Sequence, residues 1–341
     1  MKILLDAFGG DNSPQEIIKG AVDYVASGGE SEIYLVGMQE VIEDVMKNNN
    51  YSTKNISIID AREVITCEEA PTEAYRKKPN SSICVALDNL KTGDFGAFVS
   101  AGSTGAVLTA SIFKSGRIKG VARPGLGTLI PTLKGTETLF MDIGANADCK
   151  PLYLVQFAVM ADVYAKKVMG IEKPRVGLLS NGVEDKKGSA LVQAVLPALK
   201  TLNSINFVGN VEARDIMSGE LDVVITDGFS GNVALKSIEG ASTAIVSILK
   251  ENIKASKKAS IGYKLFMEKT FKNALKTLDY NKRGGAVFLG VNGVVVKSHG
   301  SSKAPAIQAS LYQAEKAVEN KVNEEIAERL SAEEITGLKF D

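Results

Sequence analysis

Asp222-Val223-Val224-Ile225-Thr226-Asp227-Gly228-Phe229-Ser230-Gly231-Asn232 holds one repeating unit of this fold in a single stretch. Val223 to Thr226 is a β-branched run, short and apolar, as expected of a strand buried on both faces. Asp227 is placed to cap a following helix, and Gly228, Ser230 and Gly231 let the backbone approach a neighbour or an anion closely. The same grammar recurs on both sides. Thr138 to Gly144 (TLFMDIG) and Arg175 to Ser180 (RVGLLS) are apolar strands, each followed by a turn and a helical pattern. Lys2 to Asp6, Glu32 to Gly37, Ile56 to Asp60 and Ala97 to Ser100 read as further strands. Apolar strands separated by helices predict an α/β fold: a three-layer α/β/α arrangement with a mostly parallel sheet covered on both faces.

The remaining elements follow from capping and periodicity. Ser13, Pro14 and Glu16 predict a helix start with a capping box. Ser82 to Lys91 reads as helix, and Ala304 to about Leu330 as a long amphipathic helix broken once. One domain over residues 1–330, in two lobes, is expected, with residues 331–341 as a C-terminal tail whose last residues fray. A chain of 341 residues buries a sufficient core without disulfides or metals. The cysteines, Cys67, Cys84 and Cys149, form no CxxC pair and read as free thiols.

Composition excludes several classes. Lys plus Arg and Asp plus Glu both total 40, which argues against broad nucleic-acid binding. No run reaches the ~18 apolar residues that span a bilayer, and the apolar start at MKILL is too short for a signal peptide. There is no GxGxxG after the first strand and no GxxxxGK[ST], which lowers the odds of a dinucleotide or ATP site. The single histidine, His299, excludes a histidine-rich metal centre, and no GxSxG elbow is present.

Chemistry is expected where parallel strands end. One strand ends in Asp6-Ala7-Phe8-Gly9-Gly10-Asp11, another in Ser100-Ala101-Gly102-Ser103-Thr104-Gly105, a third in Asp142-Ile143-Gly144-Ala145-Asn146, a fourth in Asp227 to Asn232. Glycines expose backbone N–H groups, and following helix starts add partial positive charge. Four such loops converging on one edge of the sheet predict a site for phosphate or a phosphorylated ligand. Late in the chain come Arg283-Gly284-Gly285 and Ser298-His299-Gly300-Ser301. His299 reads equally as an acid or hydrogen-bond donor and as a structural residue.

Between Lys250 and Arg283 ten basic residues face three acidic ones, with Ile253, Ile261, Leu265, Phe266, Phe271, Leu275 and Leu278 interleaved. This predicts a projecting helical hairpin over about 240–282, broken near Ser260-Ile261-Gly262. Ile261, Leu265 and Phe266 at its tip would contact an anionic membrane, or the two helices would form a dimer.

Ten ordered segments resemble one family, the acyl-acyl-carrier-protein:phosphate acyltransferases of bacterial phospholipid synthesis. Among them are DAFGGDNSP (6–14), SAGSTGA (100–106), MDIGANADCKP (141–151), PRVGLLSNGVEDKKG (174–188), DVVITDGFSGNVALK (222–236) and GGAVFLGVNGVVVKSHGSS (284–302). The chain departs from the family pattern at Phe8, Ser103, the 180–185 loop and Arg283. The resemblance implies a fold similar to isocitrate/isopropylmalate dehydrogenases and phosphotransacetylases. It implies transfer of a long-chain fatty acyl group from acyl-carrier protein to inorganic phosphate, with no metal or redox cofactor. A homodimer is also implied, in the cytoplasm and peripheral to the inner face of the cell membrane, with a downstream acyltransferase consuming the acyl phosphate. Under that reading His299, Asn232 and Lys187 are the expected catalytic residues. Gly102, Ser103, Thr104, Gly105, Arg123, Asn146, Gly228, Ser230 and Gly231 would bind phosphate or substrate. Asp6, Asp142 and Asp227 would order the loops. The readings kept beside it are a short-chain acyl-coenzyme A phosphotransferase, an NAD(P)-linked decarboxylating dehydrogenase, and a catalytically inactive membrane-surface scaffold.

Overall fold

A computed structural model of the chain describes residues 1–66, 68–271, 284–338 and 340. The strands are β1 (Lys2–Asp6), β2 (Glu32–Gly37), β3 (Ile56–Asp60), β4 (Ala97–Ser100), β5 (Gly125–Pro131), β6 (Glu137–Met141), β7 (Arg175–Leu179), β8 (Asn206–Val211), β9 (Val223–Ile225), β10 (Ala286–Leu289) and β11 (Val294–Lys297). They form one sheet in the order β3-β2-β1-β4-β11-β10-β5-β6-β9-β7-β8. The helices are α1 (Gln15–Ala26), α2 (Gln39–Asn48), α3 (Pro71–Lys77), α4 (Ser82–Leu90), α5 (Thr104–Ala110), α6 (Pro151–Tyr164), α7 (Ala190–Thr201), α8 (Gly228–Ala255), α9 (Lys257–Gly262), α10 (Ala304–Glu319), α11 (Val322–Ser331) and α12 (Glu333–Thr336).

The expected three layers are present. On one face α1, α2, α6, α7, α10 and α11 bury Ile3, Leu5, Leu139, Met141, Val223 and Ile225. On the other, α3, α4, α5 and the first half of α8 pack over Leu4, Phe98, Leu126, Phe140, Val224 and Phe288. Alternation of β-strand side chains assigns successive residues to the two faces, so each strand feeds both cores and reads as continuously apolar.

Strand direction departs from the expectation of loops gathered at one edge. β10 runs antiparallel to β11 and to β5, and β5 runs antiparallel to β6. The β1–β4–β11 half therefore points opposite to the β6–β9–β7 half. Hydrophobic periodicity carries no direction, so the sequence could not reveal this. Convergence survives for another reason. Val99 pairs with Val296, Val296 with Val287, Val287 with Gly127, Gly127 with Met141, and Met141 with Ile225. Val99 is one residue from the end of β4, while Met141 and Ile225 end β6 and β9. The two halves are staggered, and their carboxyl ends meet at the same level from opposite sides.

Two helix expectations need correction. The capping box at α1 does not form: Ser13 Oγ donates to the Gly10 carbonyl, and Pro14 occupies the cap without a side-chain bond. Glu16 instead accepts the N–H of Ala304 at 2.8 Å, capping α10 from a distant part of the chain. The expected break at Ser260-Ile261-Gly262 falls at Ser256 (φ −123°, ψ 124°), while Gly262 stays helical (φ −60°, ψ −40°). A mid-helix glycine costs about 1 kcal/mol relative to alanine, too little alone to end a helix. Within the tail, α12 buries Ile335. The single break expected in the C-terminal helix falls between α10 and α11, where Lys321 is left-handed (φ 53°). Cys84 and Cys149 are free thiols. Cys67 and the far limb of the hairpin, residues 272–283 with Arg283, lie outside the described residues.

Candidate active site

Two stitched loop systems form the floor of the site. In the first, the Asp6 carboxylate accepts Ser100 Oγ at 2.7 Å and the N–H of Phe8 at 3.1 Å. Ser100 Oγ in turn accepts the N–H of Gly102 at 3.0 Å. The loops after β1 and β11 are tied by the Asp11 N–H donating to the Gly300 carbonyl at 2.8 Å. Burial pushes the Asp6 carboxyl up, against the hydrogen bonds and the positive charge of Lys297.

In the second system Asp142 is fully buried and accepts five hydrogen bonds. Its Oδ1 takes the N–H groups of Leu126, Gly144 and Ala145, and its Oδ2 takes the N–H and Nδ2 of Asn146. Asn146 Nδ2 also donates to the Pro124 carbonyl at 2.8 Å. The N–H of Gly228 donates to the Asn146 carbonyl, that of Ser230 to Asp227 Oδ1, and that of Gly231 to the Asp227 carbonyl. One of these donors, Gly228, ties α8 to the 142–146 loop, and the other two are taken up by Asp227 within the cap of α8. The backbone N–H groups of Asn146, Gly228, Ser230 and Gly231 thus already have partners within the protein. Asp227 is the N-cap of α8.

Between these systems lies a cleft of about 610 Å³. Its polar end is lined by Thr104, Gly105, Gly144, Asn232, Lys297, Ser298 and His299. Ser103 caps α5 through Oγ, which accepts the N–H of Ala106. The first-turn N–H groups of Thr104 and Gly105 extend off the helix end, as at any helix start. Gly144 is left-handed (φ 132°), and a Cβ there would meet Asn232 Nδ2 at 2.8 Å, so its glycine lets the two loops close. The floor continues as Leu126, Ile130, Pro131, Ile143 and Met217. The facing wall is one side of α8, from Asn232 through Leu235, Ile238 and Val246 to Lys250, about 27 Å at 1.5 Å per residue.

Lys297 is the residue that sequence reading missed. It ends β11 within Val294-Val295-Val296-Lys297, is only 7% exposed, and lines the cleft. Its Nζ donates to the carbonyls of Ala101, at 3.4 Å, and Ser298. A charged residue closing an apolar strand, just before Ser-His-Gly, was the available signal. Lys187 and Arg123 are exposed and do not line the cleft. Lys187 belongs to the loop after β7, one strand beyond β9, and Arg123 to the turn before β5.

His299 Nδ1 accepts the N–H of Ser301 at 3.2 Å and lies 2.8 Å from Ser301 Oγ. A backbone N–H can only donate, so the ring proton sits on Nε2. Burial, with Lys297 and Lys236 adding to it and Glu239 and Asp11 opposing, holds the imidazole pKa below its ordinary 6.5. His299 is therefore a neutral hydrogen-bond donor at pH 7. We expect kcat/KM, at fixed phosphate dianion, to be flat above neutrality and to fall in acid as His299 protonates. His299→Gln should lose that acidic limb while retaining part of the activity. An unchanged limb in the variant would assign it elsewhere.

The chain matches the fatty acid synthesis protein family model over residues 1–325. It belongs to the fatty acid synthesis protein family. A phosphate acyltransferase of Lysinibacillus sphaericus is 44% identical over 98% of this chain and 100% of its own length. One from Geobacter sulfurreducens is 43% identical over 98% and 95%. With such relatives this member of the family is an enzyme of the acyltransferase kind. Among solved structures, a phosphotransacetylase from Streptococcus pyogenes superposes with TM-score 0.62 at 18% identity, covering 93% and 94% of the two chains. A putative 4-hydroxythreonine-4-phosphate dehydrogenase from Salmonella typhimurium gives 0.54 at 12%, covering 92% and 98%. At those identities the likeness is one of fold, and it agrees with the dehydrogenase- and phosphotransacetylase-like architecture expected for the family.

Proposed function

We propose that this enzyme transfers a long-chain fatty acyl group from acyl-carrier protein to inorganic phosphate, giving acyl phosphate for phospholipid synthesis. The observation that carries this reading is the cleft itself: a donor-rich end continuous with a long apolar floor. Phosphate occupies the polar end against the N–H groups of Thr104 and Gly105 and the ammonium of Lys297. The acyl chain lies along β5 and α8. A phosphate oxygen of HPO₄²⁻ attacks the thioester carbonyl, the C–O bond forms and the C–S bond breaks. The proton that phosphate loses ends on the departing sulfur, so the exchange balances without an external acid. Asn232 and the Nε2–H of His299 donate to the carbonyl oxygen as it gains charge. Holding both reactants in one cleft supplies proximity, and no covalent enzyme intermediate is needed.

Chain length tests the apolar floor. Each buried methylene contributes about 0.8 kcal/mol, so kcat/KM should rise at least about a hundredfold from butyryl- to palmitoyl-carrier even after ordering costs. A profile that peaks at butyryl, or that prefers coenzyme A thioesters, would favour the short-chain phosphotransferase reading instead.

The same reading has the enzyme work as a homodimer at the inner membrane surface, where a downstream acyltransferase collects its unstable product. Among the described residues no helix is long and apolar enough to cross a membrane. Support for a surface role is the exposure of Ile261 (59%), Leu265 (69%) and Phe266 (82%) on α9 and the π-helical turn Tyr263–Met267, beside lysines that attract anionic lipid. Ile261→Glu with Leu265→Glu should abolish sedimentation with phosphatidylglycerol vesicles and leave turnover of soluble substrate intact. Undiminished sedimentation of the folded double variant would remove the tip from the account.

A further inference from the structure

Charge in the cleft is short by one cation. Phosphate arrives as a dianion, and the acyl phosphate it forms is one too. Lys297 is the buried cation of the polar end, and its Nζ is already engaged by the carbonyls of Ala101 and Ser298. Among the described residues the other charged side chains lining the cleft are Lys236, Glu239 and Lys250, all on α8. Lys250 is four turns beyond Lys236, about 21 Å along the helix, too far to share a phosphate with Lys297. Lys236 is one turn from Asn232, and its charge acts on His299 alongside that of Lys297. It faces the right place.

At rest Lys236 is engaged elsewhere. Its Nζ donates to Glu239 Oε2 at 2.7 Å, an i,i+3 pair on the cleft face of the helix. Lys236 is 58% exposed and Glu239 20%. A pair this open is weak and easily exchanged for a better partner. A doubly charged phosphate between two cations is such a partner, because charge-assisted contacts strengthen in a partly dry cleft.

We propose that Lys236 is a second phosphate-binding residue, parked on Glu239 while the cleft is empty and transferred to phosphate when it binds. This rests on the reading of the cleft as a phosphate acyltransfer site. Glu239 then has two effects: it keeps the lysine ordered at the mouth, and it competes with phosphate for it. An anion other than phosphate meets the same competition, so Glu239 also raises the threshold for weaker anions such as chloride.

The test is steady-state kinetics of the full-length enzyme with palmitoyl-acyl-carrier protein and inorganic phosphate, varying each in turn. Lys236→Gln should raise the KM for phosphate about tenfold or more, with the KM for the acyl donor changed less than about threefold. Lys236→Arg should recover most of the loss. Glu239→Gln should leave the phosphate KM unchanged or lower, since it frees the lysine. A structural pair would behave differently, with both single variants impairing phosphate and donor alike. That result, or an unchanged phosphate KM in folded Lys236→Gln, would overturn the proposal while leaving the reaction standing. Absence of any phosphate-dependent turnover in the wild-type enzyme would remove the underlying reading as well.

Discussion

Gly231→Ala is expected to destabilise the protein by about 3 kcal/mol or more and to cut activity well over tenfold. A Cβ at Gly231 would sit 1.8 Å from the Asp142 carbonyl oxygen and 2.8 Å from Thr226 Cγ2. Neither neighbour can yield. Asp142 is pinned by its five hydrogen bonds, and its N–H donates to the Thr226 carbonyl. The relief is for α8 to move outward, which breaks the Gly228–Asn146 bond and carries Asn232 and Lys236 away from Lys297. Loss of function should therefore exceed what partial unfolding explains. Gly240 on the same helix is the control. Nothing lies within 4 Å of a Cβ there, so Gly240→Ala should be neutral or stabilising by up to about 1 kcal/mol. Chemical denaturation of the two variants gives opposite signs if α8 is fixed by its first turn. Equal, small effects would mean that the close approach at Gly231 is dispensable.

Lys297→Met should lower kcat/KM for phosphate by about a hundredfold to a thousandfold. Methionine keeps most of the stem volume, so the β11 end is not emptied, and only the ammonium is lost. Two consequences separate from each other. The phosphate dianion loses its buried counter-charge, which appears in kinetics. Asp6 loses the positive charge that, with its hydrogen bonds, opposes its burial, so its carboxyl should be driven further up and the variant modestly destabilised as pH rises, with only those hydrogen bonds left to favour the ionised form. The sign is fixed: a raised folded carboxyl pKa costs stability as pH rises past the unfolded value. Near-wild-type turnover in the folded variant would reduce Lys297 to a tie between the carbonyls of Ala101 and Ser298.

The sheet and its layers were legible because runs such as VVIT (223–226) and TLFM (138–141) admit few other readings. Asp227 was legible as a cap because capping is local. What the sequence concealed was non-local. Glu16 stands where a capping box would use it, yet the cap residue is Pro14, which has no N–H to offer, and Glu16 accepts the N–H of Ala304 instead. The opposed directions of β5 and β10 cannot be read from periodicity, and they decide that the loops meet face to face. The Gly-rich start of α8 looked like an anion cradle, but the Gly228 N–H is taken by the Asn146 carbonyl and those of Ser230 and Gly231 by Asp227. Lys187 and Arg123 carry charge but do not line the cleft, whereas Lys297, hidden at the end of an apolar strand, reaches it.

The most direct test of the account is release of free carrier thiol from palmitoyl-acyl-carrier protein by the purified enzyme, with and without inorganic phosphate, with hydroxylamine added to trap acyl phosphate as the hydroxamate. The account predicts thiol release that requires phosphate, matched mole for mole by palmitoyl hydroxamate, and saturating in phosphate. Thiol release at the same rate without phosphate, or none from folded enzyme with any acyl length in the presence of vesicles, would contradict it.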